Sequence, residues 1–197
     1  LHGNSCTIAL AVDDSNVETY GNDYFLRIQY GLEHALAREG YYLMICHIGS
    51  KNVSTLESII NENRIDGLVL LSELASPQIL TVLRESKIPF VIAGRCVEPH
   101  SMWVDIDNIG AGWSATECLL KTGALKIGFL TNSFQKVFVS ERYEGYRNCL
   151  KQANVSVPEN AVIDGLTTSN EILSYITSHE GQLCDAYVAT DSTIAFY

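Results

Sequence analysis

The chain has 197 residues, a length that leaves one medium or two small domains open. Hydrophobic residues make up 47% and charged residues 18%, enough for a sizeable core and too apolar for a disordered chain. The 13 Lys and Arg stand against 23 Asp and Glu, a formal charge of -10, so these residues taken alone are not expected to bind a phosphate backbone.

Short β-rich runs alternate with helical periods almost from end to end. TIALAV (7–12) reads as a first strand. Phe25, Ile28, Leu32, Ala35 and Leu36 recur at helical spacing until Gly40 stops them. YYLMIC (41–46) is a second strand, and Ser54 with Glu57 forms an S-x-x-E capping box ahead of Ile59 and Ile60. GLVLL (67–71) is a continuous apolar strand of the kind covered on both faces. Ser76-Pro77 is a cap followed by a first-turn proline, with Ile79, Leu80 and Leu83 behind it. PFVIAG (89–94) and SMWVDI (101–106) are two further strands. Ile109, Trp113, Thr116 and Leu120 then mark a helix, KIGFL (126–130) a strand, and Val139, Tyr143, Tyr146, Leu150 and Ala153 another helix. A weaker strand at 161–165 precedes a second capping box, Thr168 with Glu171, and DAYVA (185–189) is the last strand.

This alternation implies crossover connections and parallel sheets, an α/β class with Rossmann-like units. Between Gly94 and Ile106 a strand follows a strand with no helix between, as where a chain leaves one sheet to begin another. Two lobes are expected, over residues 5–106 and 107–197, the second incomplete because the sequence ends just inside a helix.

The cysteines, Cys6, Cys46, Cys96, Cys118, Cys149 and Cys184, are scattered with no C-x-x-C and no Cys/His knuckle, which gives neither a zinc nor a redox signature. Buried, reduced thiols are the expected state, which favours the cytoplasm over an oxidising compartment. No apolar run approaches the roughly 18 residues of a membrane span, and no signal peptide opens the sequence. Asn52-Val53-Ser54 and Asn154-Val155-Ser156 fit the glycosylation pattern, which has meaning only on the secretory route.

Enzyme motifs are weak. Gly110-Ala111-Gly112-Trp113-Ser114-Ala115 spells G-x-G-x-x-A, but Asp107, Asn108 and Ile109 separate it from the strand, and the acidic residue expected about 20 positions on is missing. The competing reading is a helix capped by Asp107 or Asn108 whose glycines permit close packing. Gly49-Ser50-Lys51 lacks the earlier glycine of a P-loop, there is no G-x-S-x-G, and no two histidines share a short spacing. His47, following a strand, reads either as facing a cleft or, more commonly for such a position, as a surface loop histidine. No metal, cofactor or catalytic residue is expected. What stands out is a set of polar and aromatic residues just beyond strand C-termini, the ligand-binding edge of open α/β sheets. These are Asp13, Asp14 and Asn16, then Asn22 to Phe25; Ser72 and Glu73; Arg95; Asn132, Ser133 and Phe134; Arg142; and Thr190 with Asp191. Carboxylates, amides, arginines and aromatic faces together suit a polyhydroxy ligand.

The sequence resembles the effector-binding core of the lactose/galactose repressor (LacI/GalR) family of bacterial transcription regulators. Asn22-Asp23-Tyr24-Phe25 resembles its N-P-F-F and Gly31-Leu32-Glu33 its G-I-E. Residues 65–70 (IDGLVL) resemble V-D-G-I-I-L, 88–91 (IPFV) I-P-V-V, and 104–108 (VDIDN) V-x-V-D-N. Residues 123–130 (GALKIGFL) resemble G-H-x-x-I-G-F-L, 141–147 (ERYEGYR) the specific E-R-x-x-G-Y-R, and 189–192 (ATDS) A-N-D-A. Thr190 replaces the usual Asn, Asp23 the Pro and Ala124 the His, and the loop from Asp13 to Gly21 is longer than the pattern.

The resemblance implies a periplasmic-binding-protein-like fold (type I) with a small carbohydrate effector in the cleft between two lobes. Carried over by position, Tyr24 and Phe25 contact the ligand from the first lobe, and Arg142 and Asp191 from the second. With the strand-end residues, the expected effector set is Asp14, Tyr24, Phe25, Ser72, Arg95, Phe134, Arg142, Thr190 and Asp191. It further implies a cytoplasmic homodimer that meets operator DNA only through an N-terminal helix-turn-helix domain absent from these residues, and no enzymatic activity. Two other readings are a periplasmic sugar-binding protein of a transport system, which shares the fold but which unpaired cysteines count against, and an NAD-dependent enzyme, which rests on the G-x-G-x-x-A alone.

Overall fold

A computed structural model describes residues 5–13, 23–49, 53–166 and 168–196. They form two compact units, Leu1–Asp105 and Ile106–Tyr197.

In the first unit, β1 (Thr7–Asp13), α1 (Asp23–Arg38), β2 (Tyr42–Ile48), α2 (Ser54–Asn61), β3 (Gly67–Leu71), α3 (Pro77–Ser86), β4 (Phe90–Ala93) and β5 (Trp103–Val104) follow one another. The sheet order is β2-β1-β3-β4-β5, and every pair is parallel. The period-2 pleat of β1 divides the core. Ala9 and Ala11 face Leu56 of α2 and Ile79, Leu80 and Leu83 of α3, whereas Leu10 and Val12 face Phe25 of α1. Small residues toward two helices and larger ones toward one let both layers close on the strand.

In the second unit, α4 (Asn108–Lys121), β6 (Ile127–Leu130), α5 (Val137–Gln152), β7 (Val162–Ile163), α6 (Ser169–Ser178), β8 (Ala186–Ala189) and α7 (Ser192–Phe196) build a parallel sheet ordered β7-β6-β8. Ile127 and Phe129 pack with Val139, Tyr146 and Leu150 of α5, while Leu130 packs on the other face with Ile172 of α6 and Ile194 of α7. The Tyr146 hydroxyl donates to the Ile127 carbonyl at 2.8 Å, so the largest buried side chain leaves its polar tip satisfied, and burial pushes its phenol above the ordinary range.

The caps separate two sequence signals that look alike. Thr168 and Glu171 form a full box: the Glu171 amide donates to Thr168 Oγ1 at 3.3 Å and the Thr168 amide to Glu171 Oε2 at 3.0 Å. Ser76 accepts from the Ile79 amide at 3.4 Å with Pro77 in the first turn. Ser54 is not the cap that its S-x-x-E spacing predicts. Val53 occupies that position in a helical conformation, its carbonyl accepting from the Glu57 amide at 2.9 Å, so the helix begins a residue early and Ser54 lies inside it. β5 is shorter than SMWVDI predicts, because it pairs only with Ile92 and Ala93 at the end of the four-residue β4.

Two aspartates at equivalent points tie the strands together. Asp66, just before β3, accepts from the Ser5 amide at 3.0 Å; Asp185, just before β8, accepts from the Leu125 and Lys126 amides at 2.9 and 2.8 Å. Each therefore gathers the chain entering the neighbouring strand. The backbone N–H groups hold both carboxyls below their ordinary value.

The glycines of the G-x-G-x-x-A segment lie within α4, where Gly112 meets α5. A Cβ on Gly112 would fall 2.0 Å from the Arg142 carbonyl oxygen, and one on Gly145 would fall 2.0 Å from that of Ile109. Asp107 caps α4, accepting from the Gly110 amide at 2.8 Å. Gly112 and Gly145 serve a helix crossing, while Gly110 lies against the Asp107 carboxylate.

Gly145→Ala is expected to destabilise by about 1–3 kcal/mol, since overpacking against backbone outweighs a helix-propensity gain of about 1 kcal/mol. Gly31→Ala, in α1 with nothing within 4 Å of the added methyl, is expected to stabilise by about 0.5–1 kcal/mol. Urea unfolding of both variants reads this difference in sign. Asp185→Asn tests the strand tie. A carboxyl lowered by folding stabilises above its unfolded pKa, near 4, and that stabilisation is lost as pH falls through the folded value. The variant is expected to have a lower melting temperature at neutral pH and a shallower loss below about pH 4; parallel acid limbs would contradict the assignment.

Candidate functional site

Both sheets reverse their strand order beside their first strand: β2-β1-β3 in one unit, β7-β6-β8 in the other. Open α/β sheets take ligands at the carboxyl edge of such a switch point. In the first unit this edge carries Asp13, the last residue of β1, and Ser72, directly after β3. Ser72 opens a short 3-10 turn through Leu74, and the Cα of Gly94 packs against it: a Cβ there would sit 2.3 Å from Ser72 Oγ. Gly94 also has φ +100, a conformation that favours glycine.

The predicted site residues of this unit do not share one environment. Asp14 lies outside the described residues. Tyr24, in the first turn of α1, is 44% exposed, but its neighbour Phe25 is 2% exposed with its ring among Leu10, Val12 and Val69. Phe25 is thus part of the helix's core stripe, and the ligand contact expected of it is not what its packing supports. Arg95 follows β4. Its amide donates to Asp105 Oδ2 at 2.9 Å, and its exposed guanidinium lies 5.4 Å from the Trp103 ring centroid on β5. His47 lies within β2 and is exposed.

The second unit gathers its residues closely. Arg142, in the second turn of α5, donates through Nε to Asn108 Oδ1 at 3.0 Å and through Nη1 to the Thr190 carbonyl at the end of β8. Its guanidinium carbon stands 4.9 Å from the Phe138 ring centroid. Asn108, the first residue of α4 and 2% exposed, donates from Nδ2 to Glu141 Oε2 at 3.3 Å. Asp191 caps α7, its Oδ1 accepting from the Ile194 amide at 2.9 Å. Arg142, Thr190 and Asp191 therefore stand together at the switch-point edge. Phe134 does not join them through its ring, which packs at 5.2 Å from Tyr143 and 6.1 Å from Phe129 in an aromatic cluster with Tyr146.

Two further polar atoms mark this edge. Thr190 Oγ1 and Asn132 Oδ1, just past the ends of the paired strands β8 and β6, are buried with no hydrogen-bond partner among the described residues. Buried polar atoms are rarely left so, and each costs roughly 1–3 kcal/mol. An added acceptor or donor at this edge would offset that cost. Asn108, Glu141 and Phe138 escaped sequence reasoning as site residues, because 33 positions separate Asn108 from Glu141 and no local pattern joins them. Among the described residues, no group of three or more His, Cys, Asp or Glu is placed to hold a metal, and no helix is long and apolar enough to cross a membrane.

Comparison with known proteins agrees with this architecture. The family of periplasmic binding proteins and sugar binding domains of the LacI family matches residues 9–192. The HTH-type transcriptional regulator MalR of Streptococcus pneumoniae serotype 4 is 28% identical over 196 residues, covering 95% of this chain and 59% of MalR. The HTH-type transcriptional regulator CelR of Thermobifida fusca is 30% identical over 164 residues, covering 81% of this chain and 48% of CelR. The chain thus spans less than two thirds of either relative's length. Among solved structures, a CelR–cellobiose complex superposes with a TM-score of 0.79 at 28% identity, over 93% of this chain and 58% of that one. The regulator CcpA of Lactococcus lactis shares the fold, with a TM-score of 0.75 at 23% identity over 96% of this chain and 69% of that one. With parallel sheets, paired switch points and a match along nearly its whole length, the chain belongs to the LacI family, in its periplasmic-binding-protein-like ligand-binding domain.

Proposed function

We propose that the chain is the effector-sensing core of a cytoplasmic, dimeric transcription regulator. A small carbohydrate is held by the strand-end residues of both units, Arg142 and Asp191 foremost, with Tyr24, Ser72, Arg95 and Thr190 contributing. Operator DNA is read by a helix-turn-helix domain outside this chain, in keeping with its formal charge of -10. A ligand that prefers one arrangement of the units shifts the regulator between DNA-holding and DNA-releasing states. A coupling of about 1–3 kcal/mol gives a roughly 5–150-fold change in operator affinity.

The observation that carries this reading is the seat of Arg142. Asn108 and the Thr190 carbonyl orient the guanidinium at the switch-point edge, where the next residue in the chain is Asp191. Oriented donors next to acceptors suit vicinal hydroxyls, each of which both donates and accepts. The structural likeness to a CelR–cellobiose complex supports a carbohydrate as the ligand class.

Calorimetric titration with cellobiose, then with other neutral mono- and disaccharides, tests the reading. At least one is expected to bind, and Arg142→Ala is expected to weaken that sugar by about 10-fold or more, the loss of a charge-assisted hydrogen bond of roughly 1.5–3 kcal/mol. Unchanged affinity in a variant that melts normally would remove Arg142 from the site.

A further inference from the structure

The side chain of Asn108 does more than its place at the start of a helix requires. Asp107 already caps α4. Asn108 instead reaches across to α5, where its amide stands between two adjacent residues of opposite charge. Oδ1 accepts from Arg142 Nε at 3.0 Å, and Nδ2 donates to Glu141 Oε2 at 3.3 Å and to the Ile106 carbonyl at 3.5 Å. Only one orientation of the amide fits. A flip would set an NH2 group against the guanidinium N–H and a carbonyl against a carboxylate. Glu141 thus fixes the amide, and the fixed amide presents its oxygen to Arg142. Asn108 is 2% exposed, so water does not compete for that oxygen.

We infer that Asn108 is a positioning residue for Arg142: it sets the plane of the guanidinium from the Nε side, while the Thr190 carbonyl holds it through Nη1. Two acceptors on different nitrogens define a plane where one would leave the side chain free to rotate about its last torsions. A preset fork loses less entropy on binding, so a ligand meets Arg142 already aimed. The inference deepens the reading of Arg142 as a ligand contact and rests on it for its effect on affinity. The seat itself can be measured without any ligand.

The ligand-free readout is hydrogen exchange of the Arg142 Nε–H, observed by NMR and assigned by its absence from Arg142→Lys. In Asn108→Ala this exchange is expected to accelerate by about tenfold or more, the acceptor being gone. In the double variant Asn108→Asp/Glu141→Gln, which keeps an acceptor oxygen facing Nε and gives the second carboxylate oxygen an amide donor, the proton is expected to stay protected. Cellobiose titration supplies the second readout: affinity is expected to fall about tenfold in Asn108→Ala and to be largely restored in the double variant. Unchanged Nε–H exchange in Asn108→Ala overturns the inference. If that variant does not fold, fast exchange in the folded double variant overturns it instead. If the unaltered protein does not bind cellobiose, the carbohydrate reading fails for that sugar while the exchange rates still decide the role of Asn108.

Discussion

The close crossing of α4 and α5 is the constraint on which the second unit depends. Gly112 and Gly145 remove the two Cβ atoms that would otherwise stand 2.0 Å from an opposing backbone carbonyl. The contact is between main chains, so it fixes the helices more tightly than side-chain packing could. Its consequence lies one turn away. With α4 held against α5 there, the first residue of α4 comes within hydrogen-bond range of Glu141 and Arg142. Separation of the helices by even an ångström would lengthen the 3.0 Å and 3.3 Å bonds of Asn108 beyond usefulness. The packing motif and the seat of Arg142 are thus one device. Gly145 lies in the same E-R-x-x-G-Y-R segment as Arg142, followed by the core-filling Tyr146.

The two units share a strand order, 2-1-3 when each is counted from its own first strand, and share the aspartate that ties the third strand's entry to the first's. No repeat is evident in the sequence. What the units have in common is a requirement of geometry: a parallel sheet begins each strand at the same edge, and the amides entering there need acceptors. Asp66 and Asp185 meet that need at the amino edge, opposite the carboxyl ends of the strands. The carboxyl edge is left for side chains that do not serve the sheet, which is why polar residues collect there.

Much of this was legible in the sequence where the signal is local. GLVLL and KIGFL are apolar without alternation because helices cover both their faces, and their strands fall within a residue of the expected limits. Thr168 with Glu171 and Ser76-Pro77 cap their helices as their spacing implies. Ser54 with Glu57 shows the limit: the same letters do not cap when the preceding residue already adopts helical dihedrals. Phe25 shows another. An aromatic residue beside Tyr24 reads equally as ligand-facing or core-facing, and the helical rotation between neighbours sends one ring outward and the other against Leu10. Arg142, Thr190 and Asp191 were legible as strand-end residues and by resemblance. Their meeting with Asn108 was not, because it depends on a helix crossing between segments more than 30 residues apart.

The polarity of the second unit's edge bears on the kind of ligand it suits. An arginine there is half-buried, and its contacts include a side-chain amide oxygen, a main-chain carbonyl and an aromatic face. Asp191 follows Thr190, whose carbonyl holds Arg142, and spends one carboxylate oxygen on the Ile194 amide. An anionic ligand drawn by the arginine would also meet this carboxylate, in a protein whose overall charge is already -10. A cation would meet the reverse conflict. A neutral molecule dense in hydroxyls satisfies both groups at once and can supply partners to Thr190 Oγ1 and Asn132 Oδ1 without burying a net charge. The alternation of donor and acceptor along this edge, more than any one residue, is what supports the proposed carbohydrate ligand.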